Sequence, residues 1–255
     1  MQEGKKRVML IVAYDGTNYC GWQIQPNGNT IEGELNRALS ELLGEKIIVS
    51  GASRTDAGVH SCGNVAVFDT TARMPAEKMS YALNQRLPED IVVQCSKKVP
   101  LDFHPRHVKS KKTYEYRILN REFRDPNRRL DTYFYYRYLD VHAMREAAGY
   151  LVGEHDFKSF CSIHAQVETT VRRIYALTVD KKEDIITIRI TGNGFLYNMV
   201  RIIAGTLIRV GTGEYKPEQI PEILAAKDRE MAGPTAPAHG LTMIGIEYED
   251  LEEKS

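Results

Sequence analysis

Ser50-Gly51-Ala52-Ser53-Arg54-Thr55-Asp56-Ala57-Gly58-Val59-His60-Ser61 is the stretch from which the rest of the chain is best read. Apolar runs flank it, Ile47-Ile48-Val49 before and Val65-Ala66-Val67-Phe68 after, and each predicts a strand. The stretch is then a loop joining two strands, with Gly51 and Gly58 supplying backbone freedom and small residues permitting close approach. Arg54 and Asp56 stand two positions apart, so a locally extended chain puts both on one side. A carboxylate beside a guanidinium stays ionised near neutral pH, which makes Asp56 a candidate nucleophile. The structural alternative is a turn in which Asp56 caps backbone N–H groups.

Working outward, residues 8–13 are continuously apolar, the pattern of a strand buried on both faces. A turn-rich segment, Tyr14-Asp15-Gly16-Thr17-Asn18-Tyr19, leads to Gly21-Trp22-Gln23-Ile24-Gln25. A helix follows, capped by Asn29 or Thr30, with a stripe of Ile31, Leu35, Ala38, Leu39, Leu42 and Leu43. After the loop and its second strand, Pro75 opens a helix carrying Met79, Ala82, Leu83 and Leu87, which Pro88 ends. Residues 91–93 begin another strand, and the first half reads β-α-β-β-α-β, a ferredoxin-like order. The second half repeats it loosely. Strands are expected at 112–119, 169–179, 184–191 and 241–248, and helices at 141–151, 195–210 and 217–227. The fold class is therefore α+β with two such halves, 1–103 and 104–255, the second beginning with a basic linker at 104–129.

The chain has 255 residues, with an apolar fraction of 42% and a charged fraction of 27%, as in a soluble globular protein. No apolar run reaches the roughly 18 residues of a membrane span, and the amino terminus leads straight into a strand. A cytoplasmic chain with nothing removed is expected. Cys20, Cys62, Cys95 and Cys161 are far apart, so reduced thiols are expected rather than a disulfide framework or zinc knuckle. Net charge is zero, but residues 97–129 hold eleven Lys or Arg against four Asp or Glu, and 214–255 hold four against ten. Polyanion affinity follows local potential, so this asymmetry permits an RNA groove.

Further residues invite a chemical reading beside a structural one. In Thr113-Tyr114-Glu115-Tyr116-Arg117-Ile118, alternation puts Tyr114, Tyr116 and Ile118 on one face, where aromatic residues ordinarily form core. In the expected helix from Phe195, residues Phe195, Met199, Ile202, Ile203 and Val210 form a core stripe, and Asn198, Arg201 and Gly205 share another face. An arginine amid so apolar a helix needs a carboxylate or water. His155, Asp156, Cys161 and His164 raise a metal site, but their spacing fits no zinc pattern; Asp56 and His60 are set aside likewise. Gly211-Thr212-Gly213 follows a helix rather than a strand, so it ends that helix rather than cradling a nucleotide. Leu241, after Ala236-Pro237-Ala238-His239-Gly240, reads as core or as lining a cleft.

Gly-Ala-Ser-Arg-Thr-Asp-Ala-Gly-Val-His-Ser at 51–61 resembles the active-site loop of the tRNA pseudouridine synthase A family, with Ser61 where alanine is usual. Tyr14-Asp15-Gly16-Thr17 with Gly21-Trp22-Gln23 is similar to that family's first motif. Phe103-His104-Pro105-Arg106 and Lys112-Thr113-Tyr114 resemble its linker, Pro105 and Val108 departing from it. Phe195-Leu196 with Met199-Val200-Arg201 resembles its helix motif, and residues 153–160 and 236–241 match further segments. The resemblance implies two α+β halves in one antiparallel sheet, helices on one side and an RNA-binding cleft between the halves. It implies Asp56 as nucleophile, Arg201 as its partner, Tyr114 against the target base, and Phe195 and Leu241 near the substrate, with Arg54 placed to fill the gap in the stack or to steer the flipped nucleotide. A structural salt bridge remains the alternative for Arg201. The implied reaction converts uridine to pseudouridine in the anticodon stem-loop of tRNA, breaking C1′–N1 and joining C1′ to C5. It needs no cofactor, metal or nucleotide, and the implied partners are tRNA and a second copy in a homodimer. A catalytically silent tRNA-binding module or chaperone on the same fold is the alternative. A cofactor-using RNA methyltransferase would need a glycine-rich loop after a strand, which is missing.

Overall fold

The computed structural model describes residues 4–162 and 168–249, and they fall into two compact units. One comprises Met1–Ser110 with Met243–Ser255, the other Lys111–Thr242.

In the first unit, β1 (Lys6–Tyr14) lies between β3 (His60–Thr70) and β4 (Ile91–Val99), antiparallel to both. Val8, Leu10, Val12 and Tyr14 turn one way, into a cluster with Ile31, Leu35, Ala38 and Leu39 of α1 (Ile31–Leu43) and with Met79 and Leu83 of α2 (Met79–Leu83). Met9 turns the other way, toward Ala52, Val65, Val67, Val99, Phe103 and Tyr248. The continuous apolar run is thus explained by burial on both faces, each large aliphatic side chain contributing roughly 1.5–3 kcal/mol. β3 also neighbours β10 (Leu241–Tyr248). Thr30, not Asn29, caps α1: its Oγ1 accepts from the Gly33 N–H at 3.2 Å, and Gly44, at φ 66°, ends the helix.

Two expectations fail here for identifiable reasons. Residues 47–49 form no strand; β2 is only Ser50–Gly51, paired with β3. The amides of Ile47 and Val49 donate instead to Ser40 Oγ and Asn36 Oδ1 of α1, at 3.0 and 2.8 Å, so no ladder forms. The helix from Pro75 is a 3-10 turn followed by the five residues of α2. Asn84 exchanges two hydrogen bonds with the backbone of Val93 in β4, and no helix continues to Pro88.

In the second unit, β5 (Ser110–Leu119), β9 (Ile185–Gly192), β8 (Val171–Lys182) and β7 (Gly153–Asp156) are neighbours in that order, each pair antiparallel. β6 (Tyr133–Phe134) adds a parallel ladder on β5, which the sequence did not suggest. Tyr114, Tyr116 and Ile118 face Ile190, Ile188 and Ile186 in register. α3 (Val141–Gly149) packs against β8 and α4 (Met199–Gly211), and α5 (Gln219–Ala226) packs near the 3-10 turn at Lys158–Phe160. α4 begins at Met199 rather than Phe195 because Asn198 sits at φ 61°, outside helical space. Nor is α4 a one-sided stripe. Only Arg201 and Arg209 are less than fully buried, and Gly205 lies against the Pro234 backbone. Gly211 closes it, with the amides of Thr212 and Gly213 bonded back to Ile208 and Val210.

Candidate active site

In the loop at 52–59, burial alternates along 53–56 before a turn at 57–58. Ser53 and Thr55 are buried, Arg54 is exposed and Asp56 half-buried, so the two charged residues do share the outward side. Its inward side is fastened at every step. The Ala52 N–H donates to Val65 at 2.7 Å, the Ser53 carbonyl accepts from Asn64 Nδ2 at 3.0 Å, and Thr55 Oγ1 lies 2.8 Å from the Tyr14 hydroxyl. Asn64 is completely buried in β3, so its amide serves as a fixed support. Within the loop, the Val59 N–H donates to the Asp56 carbonyl at 3.1 Å, closing a turn directly after the carboxylate.

The segment from Tyr14 to Gln25 wraps this loop. The Trp22 N–H donates to the Thr55 carbonyl at 3.0 Å, and Gly58 donates to Tyr19 at 3.3 Å. Both motif glycines are there because two backbones touch. A Cβ on Gly16 would stand 2.0 Å from the Val59 carbonyl oxygen; one on Gly21, which has φ +90°, would stand 2.5 Å from that of Thr55. The wrap is itself tied down by Tyr19, whose hydroxyl donates to Asp90 at 2.5 Å, and by Asp15, whose N–H donates to the Asp90 carbonyl. Burial, then the bond to the Asp90 carboxylate, pushes the Tyr19 phenol well above its usual range.

His60, the first residue of β3, joins wrap and loop. Its Nδ1 lies 3.1 Å from the Gly16 N–H and 3.0 Å from Asp15 Oδ1. One nitrogen cannot serve both at once: unprotonated it accepts from Gly16, protonated it donates to Asp15. Burial raises the Asp15 carboxyl, but the Thr17 hydroxyl and amide, with His60, outweigh it and hold the group below its usual range. No three metal-binding side chains come together among the described residues. Asp156 is engaged by Thr170 and Lys227, at 2.5 and 2.9 Å, and His164 lies outside the described residues.

In the second unit, Tyr114 is buried, 7% exposed, with the half-buried Phe195 ring edge-on to it at 5.2 Å. Glu115, on the other face of β5, is engaged by Arg117 and Arg189 at 3.1 and 2.5 Å. Arg201 is held by its own neighbourhood. Nη1 donates to Asn198 Oδ1 at 2.9 Å and Nε to the Ala236 carbonyl at 2.7 Å, while Asn198 Nδ2 donates to Ser162 at 2.8 Å. The left-handed Asn198 thus breaks the helix and orients the guanidinium. The 236–241 segment is positioned by Tyr116, whose hydroxyl donates to Pro237 at 2.9 Å and whose ring lies against Gly240. Leu241 is 5% exposed. Sequence reasoning put Asn198 and Arg201 on one face, but it missed Asn64 and the Ala236 carbonyl as supports, because the groups they hold lie 11 and 35 residues away along the chain.

The first unit thus immobilises a short loop that presents Arg54 and Asp56 on its outward side. A family model described as tRNA pseudouridine synthase matches residues 10–107 and 147–249. The chain is 49% identical to tRNA pseudouridine synthase A of Ruminiclostridium cellulolyticum over 244 residues, 95% of this chain and all of that protein. It is 49% identical to the tRNA pseudouridine synthase A of Brevibacillus brevis over 250 residues, again 95% of this chain and all of the relative. A solved chain from a Cbf5-Nop10-Gar1 complex aligns with 92% of this chain and 47% of its own, at 14% identity and a TM-score of 0.31, too distant to bear on the fold. This chain belongs to the tRNA pseudouridine synthase family, whose members are isomerases of uridine.

Proposed function

We propose that this chain isomerises uridine to pseudouridine in the anticodon stem-loop of tRNA, with Asp56 as the nucleophile. The observation that carries the reading is the Asp56 loop itself: every inward group is hydrogen-bonded or packed, and the carboxylate is left on the outward side. A turn-capping aspartate would not require so much fixed support beneath it. Family membership and relatives named tRNA pseudouridine synthase A, matched over their whole length, supply the substrate class.

In this reaction the C1′–N1 bond breaks and C1′ joins C5 of the same uracil, so no group is gained or lost. Asp56 opens it by attack at C1′, by attack at C6 of the base, or by removal of a sugar proton. The detached base must re-add rather than leave, so water is kept out. The target nucleotide is turned out of the stem, and Arg54 steers it. Tyr114 lies against the uracil, restoring about 1–3 kcal/mol of stacking lost on flipping, with Phe195 and Leu241 near it. Arg201 orients and balances the carboxylate, since a guanidinium fork can hold two oxygens. The enzyme acts in the cytoplasm as a homodimer. A silent tRNA-binding module is the competing reading. Tritium release from uridine-labelled tRNA decides between them: tRNA bound without release would sink the catalytic reading.

A further inference from the structure

Trp22, Gln23, Glu32, Gly51, Arg54 and Arg106 line a small cleft in the first unit, opening two residues from Asp56. Three of its features point to a ligand. The side chains of Arg54 and Arg106 are both exposed, and neither forms a hydrogen bond or ion pair with another described residue. Trp22 is 2% exposed, yet its indole N–H has no partner among the described residues, although a buried indole ordinarily finds one. That N–H is not sealed off: His60 Nε2 is the fully buried side-chain nitrogen or oxygen left without a partner among the described residues. The indole's Nε1 edge lies over Gly51, where a Cβ would come within 2.3 Å, and Gly51 itself lines the cleft.

The donors outnumber the acceptors. Two guanidinium forks, an indole N–H and the Gln23 amide face one carboxylate, Glu32, whose Oε2 is already taken by the Ile24 N–H at 2.9 Å. The charged lining sums to a single positive charge. Arg106 is held in place by its turn: its N–H donates to His104 Nδ1 at 3.2 Å, and the His104 ring stacks on His107 at 3.9 Å. Burial, then His107, Arg106 and Arg7, hold the His104 imidazole below its usual range, which keeps that nitrogen an acceptor.

We infer that this cleft seats one phosphodiester of the RNA backbone, gripped by the Arg54 and Arg106 forks with the Trp22 indole N–H as a neutral third donor. The inference rests on the proposed RNA substrate. A diester's single negative charge matches the lining, and planar forks suit phosphate oxygens. Arg106 is then a binding residue that fixes register without reading sequence.

The test uses the full chain with bulk tRNA and with a synthetic anticodon stem-loop in which single phosphates are replaced by neutral methylphosphonates. Arg106→Ala should weaken tRNA binding about ten-fold and reduce the slope of log affinity against log salt by about one. Arg106→Lys should keep the slope but not all the affinity, because an ammonium retains charge without the fork. Trp22→Phe should lose affinity with the slope unchanged. One methylphosphonate position should cost the wild type affinity and cost Arg106→Ala nothing. Unaltered affinity and slope in Arg106→Ala, or no coupled position, would overturn the inference. So would displacement of tRNA from wild type, but not from Arg106→Ala, by inorganic phosphate beyond the effect of chloride at equal ionic strength; that result would mark a free-anion site. Either failure would leave pseudouridine formation by the wild type intact, whereas its absence from wild type on the same RNA counts against the proposed function instead.

Discussion

Asp56 bears the sharpest expectation at the scale of single residues. Asp56→Asn keeps the shape of the side chain and removes its charge and nucleophilicity. The candidates nearest in sequence cannot stand in: His60 is buried against Gly16 and Asp15, and Glu115 is occupied by two arginines. Product formation should fall more than about a thousand-fold in both Asp56→Asn and Asp56→Ala, with tRNA binding near native. A turn-capping role predicts the reverse order, with Asn active and Ala losing about 1 kcal/mol of stability. Measuring product and thermal midpoint in both variants separates the two. For Arg201, Ala should cost turnover more than stability, and Lys should restore only part of it. Wild-type turnover in Arg201→Ala would leave a structural bridge as its whole role. A third residue reports on pH. Asp69 accepts two bonds from the Arg7 fork at 2.7 and 2.9 Å, which, against desolvation, hold its carboxyl below the usual range. Its contribution is present above the unfolded carboxylate pKa and is lost as pH falls through the depressed folded value. Asp69→Asn should cost about 1–2 kcal/mol at pH 7, and the gap in thermal midpoint should close in acid. A gap unchanged down to pH 3 would contradict this.

At the scale of elements, legibility followed the reach of the determining contacts. β1 and α1 were readable because their burial repeats within their own length, continuous in the strand and at helical spacing in the helix. The run at 47–49 looked like a strand and is not one, because two side chains of α1 claim its amides; apolar content cannot reveal that competition. The start of α4 was misplaced by four residues, since a left-handed asparagine gives no periodic signal. Within the candidate site, Arg54 and Asp56 were legible from a glycine-bounded loop. The scaffolding under them was not, because Tyr14, Gly16, Gly21 and Asn64 reach it from other elements. That scaffolding makes its own prediction. Gly21→Ala forces a side chain into a left-handed backbone and against the Thr55 carbonyl, and should cost about 2 kcal/mol or more while also lowering turnover. An alanine variant with a native melting curve and native turnover would show that the wrap does not support the loop.

For the whole molecule, charge distribution matters more than its sum. The sequence is neutral, yet 97–129 is strongly basic, so tRNA affinity should fall steeply with salt. That basic segment is short for a whole tRNA, which is why a second protomer is proposed to complete the groove. Light scattering at micromolar concentration should report a dimer, and a fully active monomer would remove that part of the proposal. Among the described residues no helix is long and apolar enough to cross a membrane.

The chain contains a single tryptophan, and it is Trp22. Its ring is packed under the Asp56 loop, with the nitrogen edge over Gly51. Excited at the red edge of tyrosine absorption, the protein therefore has one emitter, sitting in the floor of the cleft. Its spectrum needs no label to be assigned, and a shift or quench on adding RNA reports a change at that spot. The enzyme carries its own optical gauge of occupancy.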